Sequence, residues 1–394
     1  MSNRGSLTVT ARLDDGPPGS ELDESRDVDF EFSAEQEQLR DSLRRFLVDQ
    51  APVEYVRAVY GNDRGYTDEV WRGLVDLGVV GLLVPERDGG SGMGMVDMAV
   101  VLEELGRAVH PGPFAATAVG AVTLVSALDG WAAHPWLPGV ARGDRIATVA
   151  FLEPGRRAEW RAPTTAATDT DGWRVAGTKT HVAAAGAADL LLVTATTPSG
   201  ELGVFAVAAS DAAIVSTPTV DGTRPEATVT FDASPAARIG TGDASDAVAT
   251  TVDHLGIAAV VDGVGAAQRA LELSVDYARE RRQFGVPIGS FQAVQHLCAD
   301  MLRAVELARA AGYYACWAAD AADPAERHRA ATMALAFAAD ELAAVGAATI
   351  QVHGGIGFTW EHDAHLFYKR LLTLQRAGGG SVDQLGELAS IVLP

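Results

Sequence analysis

The stretch YARERRQFGVPIGSFQAVQHLCADM, residues 277–301, ends one helical pattern and begins another. Three arginines, Arg279, Arg281 and Arg282, lie together before the turn signals Phe-Gly and Val-Pro. The chain of 394 residues carries a formal net charge of −21. Positive charge gathered at one turn of such an acidic chain indicates an anionic ligand at that turn.

Composition favours a soluble globular enzyme of two or three domains, because 48% of the residues are hydrophobic and the length allows a large core. With 52 acidic and 31 basic residues, the chain should repel nucleic acid and anionic membranes, so we expect neither as a partner. No uninterrupted apolar run reaches the roughly 18 residues of a membrane span. We therefore expect no membrane insertion.

The first 27 residues are rich in Gly, Pro, Ser and Asp and lack the apolar core of a signal peptide. They predict a flexible acidic leader. Two cysteines, Cys298 and Cys316, lie in apolar helical patterns, which indicates buried thiols in a reducing compartment. These observations predict a cytoplasmic protein.

The predicted secondary structure changes type twice along the chain. Residues 28–145 show helical patterns that open with a capping-box pair, Ser33 and Gln36. Residues 146–236 hold short β-type runs such as IATVAFL, DLLLVTAT and ATVTF, separated by Gly, Pro, Asp and Ser. Residues 245–394 return to long helical patterns. The predicted fold is mainly α with a central β domain.

This domain order, the 277–301 stretch and IQVHGGIGFTWEHDAHLFYKR (350–370) together resemble the acyl-CoA dehydrogenase family. The likeness is greatest to the actinobacterial branch that acts on steroid side chains and other bulky acyl groups. The resemblance implies an N-terminal helical domain, a middle β-barrel-like domain and a C-terminal four-helix bundle. It also implies a dimer or tetramer, formed with itself or with a homologous subunit.

The family binds FAD, which would be the anionic ligand at the turn. By resemblance Arg281 contacts the FAD pyrophosphate, and a guanidinium has the planar set of donors that suits phosphate oxygens. For Arg279 and Arg282 we expect a solvated helix end instead. The other cofactor-binding residues implied by the resemblance are Gln283, Phe284, Gln292, Gln351, Gly354, Gly355 and His181.

The histidines of HDAH, His362 and His365, could suggest a metal site. No third ligand is evident in the sequence, and the family uses no metal. We expect structural histidines and no metal.

Family chemistry removes the α-proton of an acyl thioester with a carboxylate while the β-hydride passes to flavin N5. Of the two positions that carry this carboxylate in most members, one aligns at about Gly378 and the other at Leu255, and neither is acidic here. A third candidate is Asp262, seven residues after Leu255 and therefore on the same helix face.

Asp262 is the one acidic residue between Leu255 and Ala267, so we expect it to be buried. A buried carboxyl group without a cation beside it should have a raised pKa, as a base for this chemistry needs. The alternative is an aspartate that bonds a neighbouring backbone or hydroxyl group. Aspartate is also about 1.5 Å shorter than the glutamate of relatives, a misplacement that can lower a rate about 10²-fold.

Other departures from the family pattern leave three functions open. The loop LEPGRRAEW lacks the family's Gly-Ser-Asp, and Ala183 stands where a hydroxyl commonly reaches flavin N5. The chain could be a dehydrogenase of a bulky acyl thioester, a flavin-dependent tailoring enzyme or monooxygenase, or a silent partner subunit. The acyl carrier, coenzyme A or a carrier protein, stays open, and an electron acceptor protein is a possible further partner.

Overall fold

The computed structural model describes residues 32–156 and 158–393, so the predicted leader, 1–27, lies outside the described residues. The first domain is helical. Near its end a π-helical stretch, Ala115–Ala121, is followed by two short helices. Its helices are α1 (Ala34–Gln50), α2 (Val53–Val59), α3 (Asp68–Asp76), α4 (Met95–Arg107), α5 (Val122–Ala127) and α6 (Leu137–Ala141).

The predicted capping box at the start of α1 is confirmed. The Gln36 backbone N–H donates to Ser33 Oγ at 3.2 Å, and the Ser33 N–H donates to Gln36 Oε1 at 3.0 Å. Two backbone donors at the helix end are satisfied in this way, which fixes where α1 begins.

The middle domain is one mixed sheet of eight strands in the order β6-β7-β3-β2-β4-β5-β8, with β1 paired in parallel to β4. The end strands β6 and β8 do not pair with each other among the described residues, so hydrogen bonding does not close the expected barrel. The strands are β1 (Ala147–Ala150), β2 (Ala166–Asp169), β3 (Trp173–Ala183), β4 (Leu190–Thr196), β5 (Leu202–Ala208), β6 (Ala213–Thr217), β7 (Glu226–Pro235) and β8 (Ala237–Ile239). The domain therefore runs to Ile239, three residues past the expected end.

The C-terminal domain packs four helices, with a fifth against one of them. These are α7 (Ser245–Glu280), α8 (Gln292–Ala321), α9 (Pro324–His353), α10 (Ala364–Leu374) and α11 (Ser381–Val392). A two-stranded hairpin, β9 (Arg282–Gln283) and β10 (Val286–Pro287), joins α7 to α8.

Two glycines let α4 and α7 cross at close range. A Cβ added at Gly106 would lie 1.9 Å from the Asp262 carbonyl oxygen, and one at Gly265 would lie 1.9 Å from the Glu103 carbonyl oxygen. Only glycine permits this approach of two backbones. The crossing places Asp262 at the contact between the first and third domains.

By length and composition alone, α7 and the helical stretch Pro324–Phe358 could each cross a membrane. They do not contradict the expectation of no membrane insertion, because this criterion considers length and composition only. Within the fold, 61% of each apolar window is buried, as in the core helices of a soluble protein, which meet the same criterion.

Candidate functional site

Asp262 lies on α7 and is 5% exposed, so its predicted burial is confirmed. The expectation that no cation would lie beside it is wrong. Arg370 on α10 donates from Nη1 to both Asp262 carboxylate oxygens at 2.9 Å, and Arg224 donates to Oδ1 at 2.5 Å. The sequence around Asp262 shows only its own helix, whereas both arginines come from distant segments.

Arg370 completes a buried ion cluster, which we define as Asp221, Arg224, Asp262 and Arg370. Its remaining donors bind Asp221 Oδ2 at 2.7 Å, Thr223 Oγ1 at 2.6 Å and the His110 carbonyl at 3.2 Å. Burial alone would raise the pKa of Asp221, but Arg370 and the Thr223 hydrogen bonds outweigh it and lower that pKa. The cluster joins the middle and C-terminal domains, and the hydrogen bond from Arg370 to the His110 carbonyl ties it to the first domain.

The neighbouring His110 is kept neutral mainly by its burial. Burial, followed by the charges of Arg224 and Arg370, lowers the pKa of His110 to about 3. A neutral imidazole therefore lies beside the cluster at physiological pH.

A general base must turn an oxygen toward the proton that it removes. Both oxygens of Asp262 accept hydrogen bonds from guanidinium groups. Asp262 as the base stays a prediction. These contacts are closer to the alternative role given above, an aspartate that only bonds its neighbours. The neighbours are arginines and not backbone or hydroxyl groups.

The two family base positions hold no carboxylate in the structure either. Leu255 packs against the π-helical stretch and β1, where a Cβ on Gly120 would meet Leu255 at 3.2 Å and Val149 at 3.3 Å. Gly378 begins a run of three glycines with φ of 59°, 91° and 95°, a left-handed conformation that glycine favours.

The predicted FAD residues of the C-terminal domain meet at one end of the helix bundle. The rings of Tyr277 and His353 lie 4.6 Å apart, so the end of α7 lies beside the end of α9. Arg281 follows α7, and Gln351, Gly354 and Gly355 lie at the end of α9. We call this surface, residues 281–292 and 351–355, the bundle end.

The three arginines at this turn differ in what they contact. Arg279 pairs with Asp276 at 3.5 Å, and Arg282 donates to the Gly285 carbonyl at 3.3 Å. The guanidinium of Arg281 has no partner among residues 32–156 and 158–393, and it is exposed. Of the three, only Arg281 has all its donors available for a phosphate group.

The hairpin after Arg281 turns through Phe284 and Gly285, which have φ of 52° and 83°. A bulky residue at positive φ is strained, and such strain is concentrated at functional sites. Phe284 is 93% exposed, and its ring lies edge-on to that of Phe291 with centroids 6.2 Å apart. Gln283 and Gln292 are exposed beside it.

The glycines at the end of α9 leave their backbone open. No atom lies within 4 Å of a Cβ placed on Gly354 or Gly355, and Gly354 has φ of 63°. Gln351 is exposed one turn earlier. An unpaired guanidinium, glycines with open space around them and exposed amides fit the pyrophosphate and ribose of a dinucleotide such as FAD.

His181 lies apart from the bundle end, on β3 of the middle domain. Its Nδ1 is 2.7 Å from Glu226 Oε2 on β7, and its side chain is 58% exposed. Next to it, Lys179 is fully buried and donates to Glu153 Oε1 at 3.0 Å, to Thr194 Oγ1 and to the Phe151 carbonyl. Burial lowers the pKa of Lys179 to about 8, against the opposing effect of Glu153.

Glu153, from the loop LEPGRRAEW, forms a buried ion pair with Lys179. Its oxygens also accept from the Thr164 N–H and hydroxyl and from the Thr165 N–H, at 2.6–2.8 Å. Burial alone would raise the pKa of Glu153, but these hydrogen bonds lower it. The pair fixes the loop against β3.

The histidines of HDAH pack against rings. His362 lies 4.4 Å from His353, and His365 stacks on Trp360 with ring centroids 4.9 Å apart. Among the described residues, no three His, Cys, Asp or Glu side chains are grouped as metal ligands.

Sequence reasoning missed Arg224, Arg370 and Glu226. One signal for Arg370 was available, because it lies on the same helix face as the buried Leu366, Phe367 and Leu374. A charge on an apolar face predicts a buried partner. For Arg224 and Glu226 we find no signal in the sequence.

Comparisons with known proteins agree with this fold. Residues 33–144 match the N-terminal domain of acyl-CoA dehydrogenases, and residues 246–392 match the C-terminal domain. The chain is 33% identical over 337 residues to acyl-CoA dehydrogenase IpdE2 of Mycobacterium tuberculosis, covering 85% of this chain and 90% of the relative. The chain belongs to the acyl-CoA dehydrogenase family. It is thus a flavoprotein oxidoreductase of an FAD-dependent family.

Two solved structures extend the likeness. A variant of the steroid acyl-CoA dehydrogenase Tcur3481–Tcur3483 shares 33% identity with a TM-score of 0.81, covering 91% of this chain and 97% of that one. The ChsE4–ChsE5 complex of Mycobacterium tuberculosis shares 27% identity with a TM-score of 0.82, covering 93% and 100%. The predicted family and the order of domains are confirmed.

Proposed function

We propose that this acyl-CoA dehydrogenase forms an α,β-double bond in a bulky acyl group carried by coenzyme A. The observation that carries the proposal is the bundle end, where Arg281 keeps an unpaired guanidinium beside the open backbone of Gly354 and Gly355. The bulky substrate is supported by the relative whose name describes a steroid enzyme. Bound FAD supplies the acceptor for the β-hydride.

In this proposal the chain's own residues bind and orient the cofactor. Arg281 would contact the pyrophosphate, and Gln283 and Gln292 would bind nearby polar groups. Gly354 and Gly355 would let the dinucleotide approach the backbone closely, because no side chain stands in the way. Phe284, strained and exposed, would cover an apolar part of the ligand or of a second subunit. The protein works as a dimer or tetramer, and a separate electron acceptor protein reoxidises the enzyme.

A second candidate function follows from the missing carboxylates at Leu255 and Gly378. The chain could complete the FAD site of a homologous subunit that supplies the base. One solved relative supports this candidate, because its name, the ChsE4–ChsE5 complex, gives two different proteins in one assembly. Asp262, held by Arg224 and Arg370, would then be a structural residue.

The test is the visible spectrum of the protein purified alone, followed by anaerobic addition of acyl thioesters. We expect a flavin band near one per chain, bleached by the coenzyme A thioester of a steroid side-chain acid and more slowly by butyryl-CoA. Bound flavin that neither thioester bleaches would contradict the dehydrogenase proposal. Protein that holds no flavin alone, but does so with a homologous subunit, would support the second candidate.

A further inference from the structure

The backbone of β3 is irregular at His181. Lys179 pairs with Val229 and Val182 pairs with Ala227, so one extra residue is inserted in β3 between these pairs. His181 lies in this β-bulge with φ of 51°, a left-handed conformation that a side chain with a Cβ disfavours. Bulges of this kind turn a side chain out of the regular alternation and are common beside active sites.

The bulge turns His181 outward and gives it one partner, Glu226. The distance from Nδ1 to Oε2 is 2.7 Å. Because a carboxylate can only accept, Nδ1 must carry the proton, and in the neutral imidazole Nε2 is then left with a lone pair. Glu226 therefore decides which nitrogen of His181 can accept a hydrogen bond from a ligand.

Both residues are held by rigid surroundings. The Thr180 N–H donates to the Leu152 carbonyl at 2.9 Å, which ties the bulge to the loop that holds Glu153. On the other side, Glu226 follows Arg224 by two residues, and Arg224 is fixed by its ion pair with Asp262. An exposed imidazole on a backbone fixed from two sides is preorganised for a ligand.

We propose that His181 accepts a hydrogen bond at Nε2 from an N–H or O–H group of bound FAD, and that Glu226 is the positioning residue that keeps Nε2 unprotonated. The isoalloxazine imide N–H and the ribityl hydroxyls are the donors that FAD offers. This inference rests on the proposed function, because it needs FAD at this strand. It goes beyond the cofactor contact that the resemblance implies for His181, since it assigns a direction to the hydrogen bond and a role to Glu226.

A double-mutant cycle tests the proposal through FAD affinity, measured by titrating FAD into apo-protein and following flavin fluorescence. Glu226→Ala should weaken FAD binding about two- to tenfold, the value of one hydrogen bond. His181→Phe, which keeps a ring of similar size, should have the same effect. In the Phe background, Glu226→Ala should change nothing. With His181 in place, Glu226→Gln should keep the affinity of the wild type, because its amide oxygen still accepts from Nδ1.

A second readout follows the imidazole itself. In protein labelled with ¹⁵N-histidine, at alkaline pH, neutral His181 should carry its proton on Nδ1, and added FAD should shift the Nε2 resonance. Glu226→Ala should return the tautomers toward the mixture of free histidine. A purely structural role for Glu226 would leave the Nε2 resonance unmoved by FAD.

The outcomes separate this inference from the proposed function. If FAD binds and Arg281→Ala weakens it, yet the effects at His181 and Glu226 are additive or Nε2 does not respond, this inference is overturned and the proposed function stands. If neither the wild type nor any variant binds FAD, both are overturned.

Discussion

Arg370 and Arg281 are the same kind of residue in opposite circumstances. Arg370 is 3% exposed and donates to Asp221, Asp262, Thr223 and the His110 carbonyl. Arg281 lies at the exposed bundle end and has no partner within the described parts of the chain. A charge whose donors are all used inside the fold holds domains together, whereas a charge without a partner is available to a ligand.

The largest effect should come from breaking the buried ion cluster. Arg370→Met leaves Asp221 and Asp262 buried without their main cation, which should lower the free energy of unfolding by about 3–5 kcal/mol. The matched control, Arg281→Met, should change it by less than about 0.5 kcal/mol. Urea denaturation followed by circular dichroism measures both. Equal midpoints for the two variants would contradict the stabilising role assigned to Arg370.

Variants of Asp262 distinguish a structural role, in which it anchors two arginines, from the role of catalytic base. As an anchor, Asp262→Asn should lower the free energy of unfolding by about 1.5–3 kcal/mol, because two arginines lose a charged acceptor. Asp262→Glu should also destabilise, by about 1–3 kcal/mol, since an extra methylene must fit at the crossing of α4 and α7.

The base hypothesis predicts the reverse for these two variants. Asp262→Glu would be tolerated, and Asp262→Asn would slow flavin bleaching by at least about 10²-fold with little change in stability. Stopped-flow bleaching of the folded, FAD-loaded fraction decides between them. We expect the Asn variant to stay within about tenfold of the wild type.

A smaller, pH-dependent effect should appear at His328. This residue lies on α9 and is half-buried between α7 and α11. Its Nδ1 lies 2.8 Å from Asp253 and its Nε2 lies 3.1 Å from Glu387. The hydrogen bond with Asp253, against burial, raises the pKa of His328 above its ordinary value of 6.5. The stabilisation is therefore complete below about pH 6.5 and is lost as pH rises through the folded-state pKa.

His328→Gln should remove this dependence and cost below about 1 kcal/mol at acidic pH, the range of a partly exposed ion pair. Thermal unfolding of wild type and variant across pH measures it. A difference between them that grows as pH rises would contradict the assignment.

Much of the fold could be predicted from the sequence because its signals are local. The capping box at Ser33 and the change of periodicity near Ile146 each depend on residues within a few positions. The bundle-end residues were found because two motifs carry them, and their exposure agrees with a ligand site.

The cluster around Asp262 could not be predicted, because its members come from residues 221, 224, 262 and 370. Helical periodicity shows that Asp262 faces the interior but not what it meets there. The bulge at His181 was missed for a related reason. No glycine marks the positive φ, and its partner Glu226 lies 45 residues away.

The most direct test of the central contrast is the FAD affinity of Arg281→Ala against Arg282→Ala, in the same protein preparation. Arg281→Ala should lose a charge-assisted contact of about 1.5–3 kcal/mol, which is roughly ten- to hundredfold in affinity. Arg282→Ala should stay within about twofold, because its guanidinium already caps the hairpin at the Gly285 carbonyl. Equal loss of affinity in the two variants, or none in either, would contradict the account.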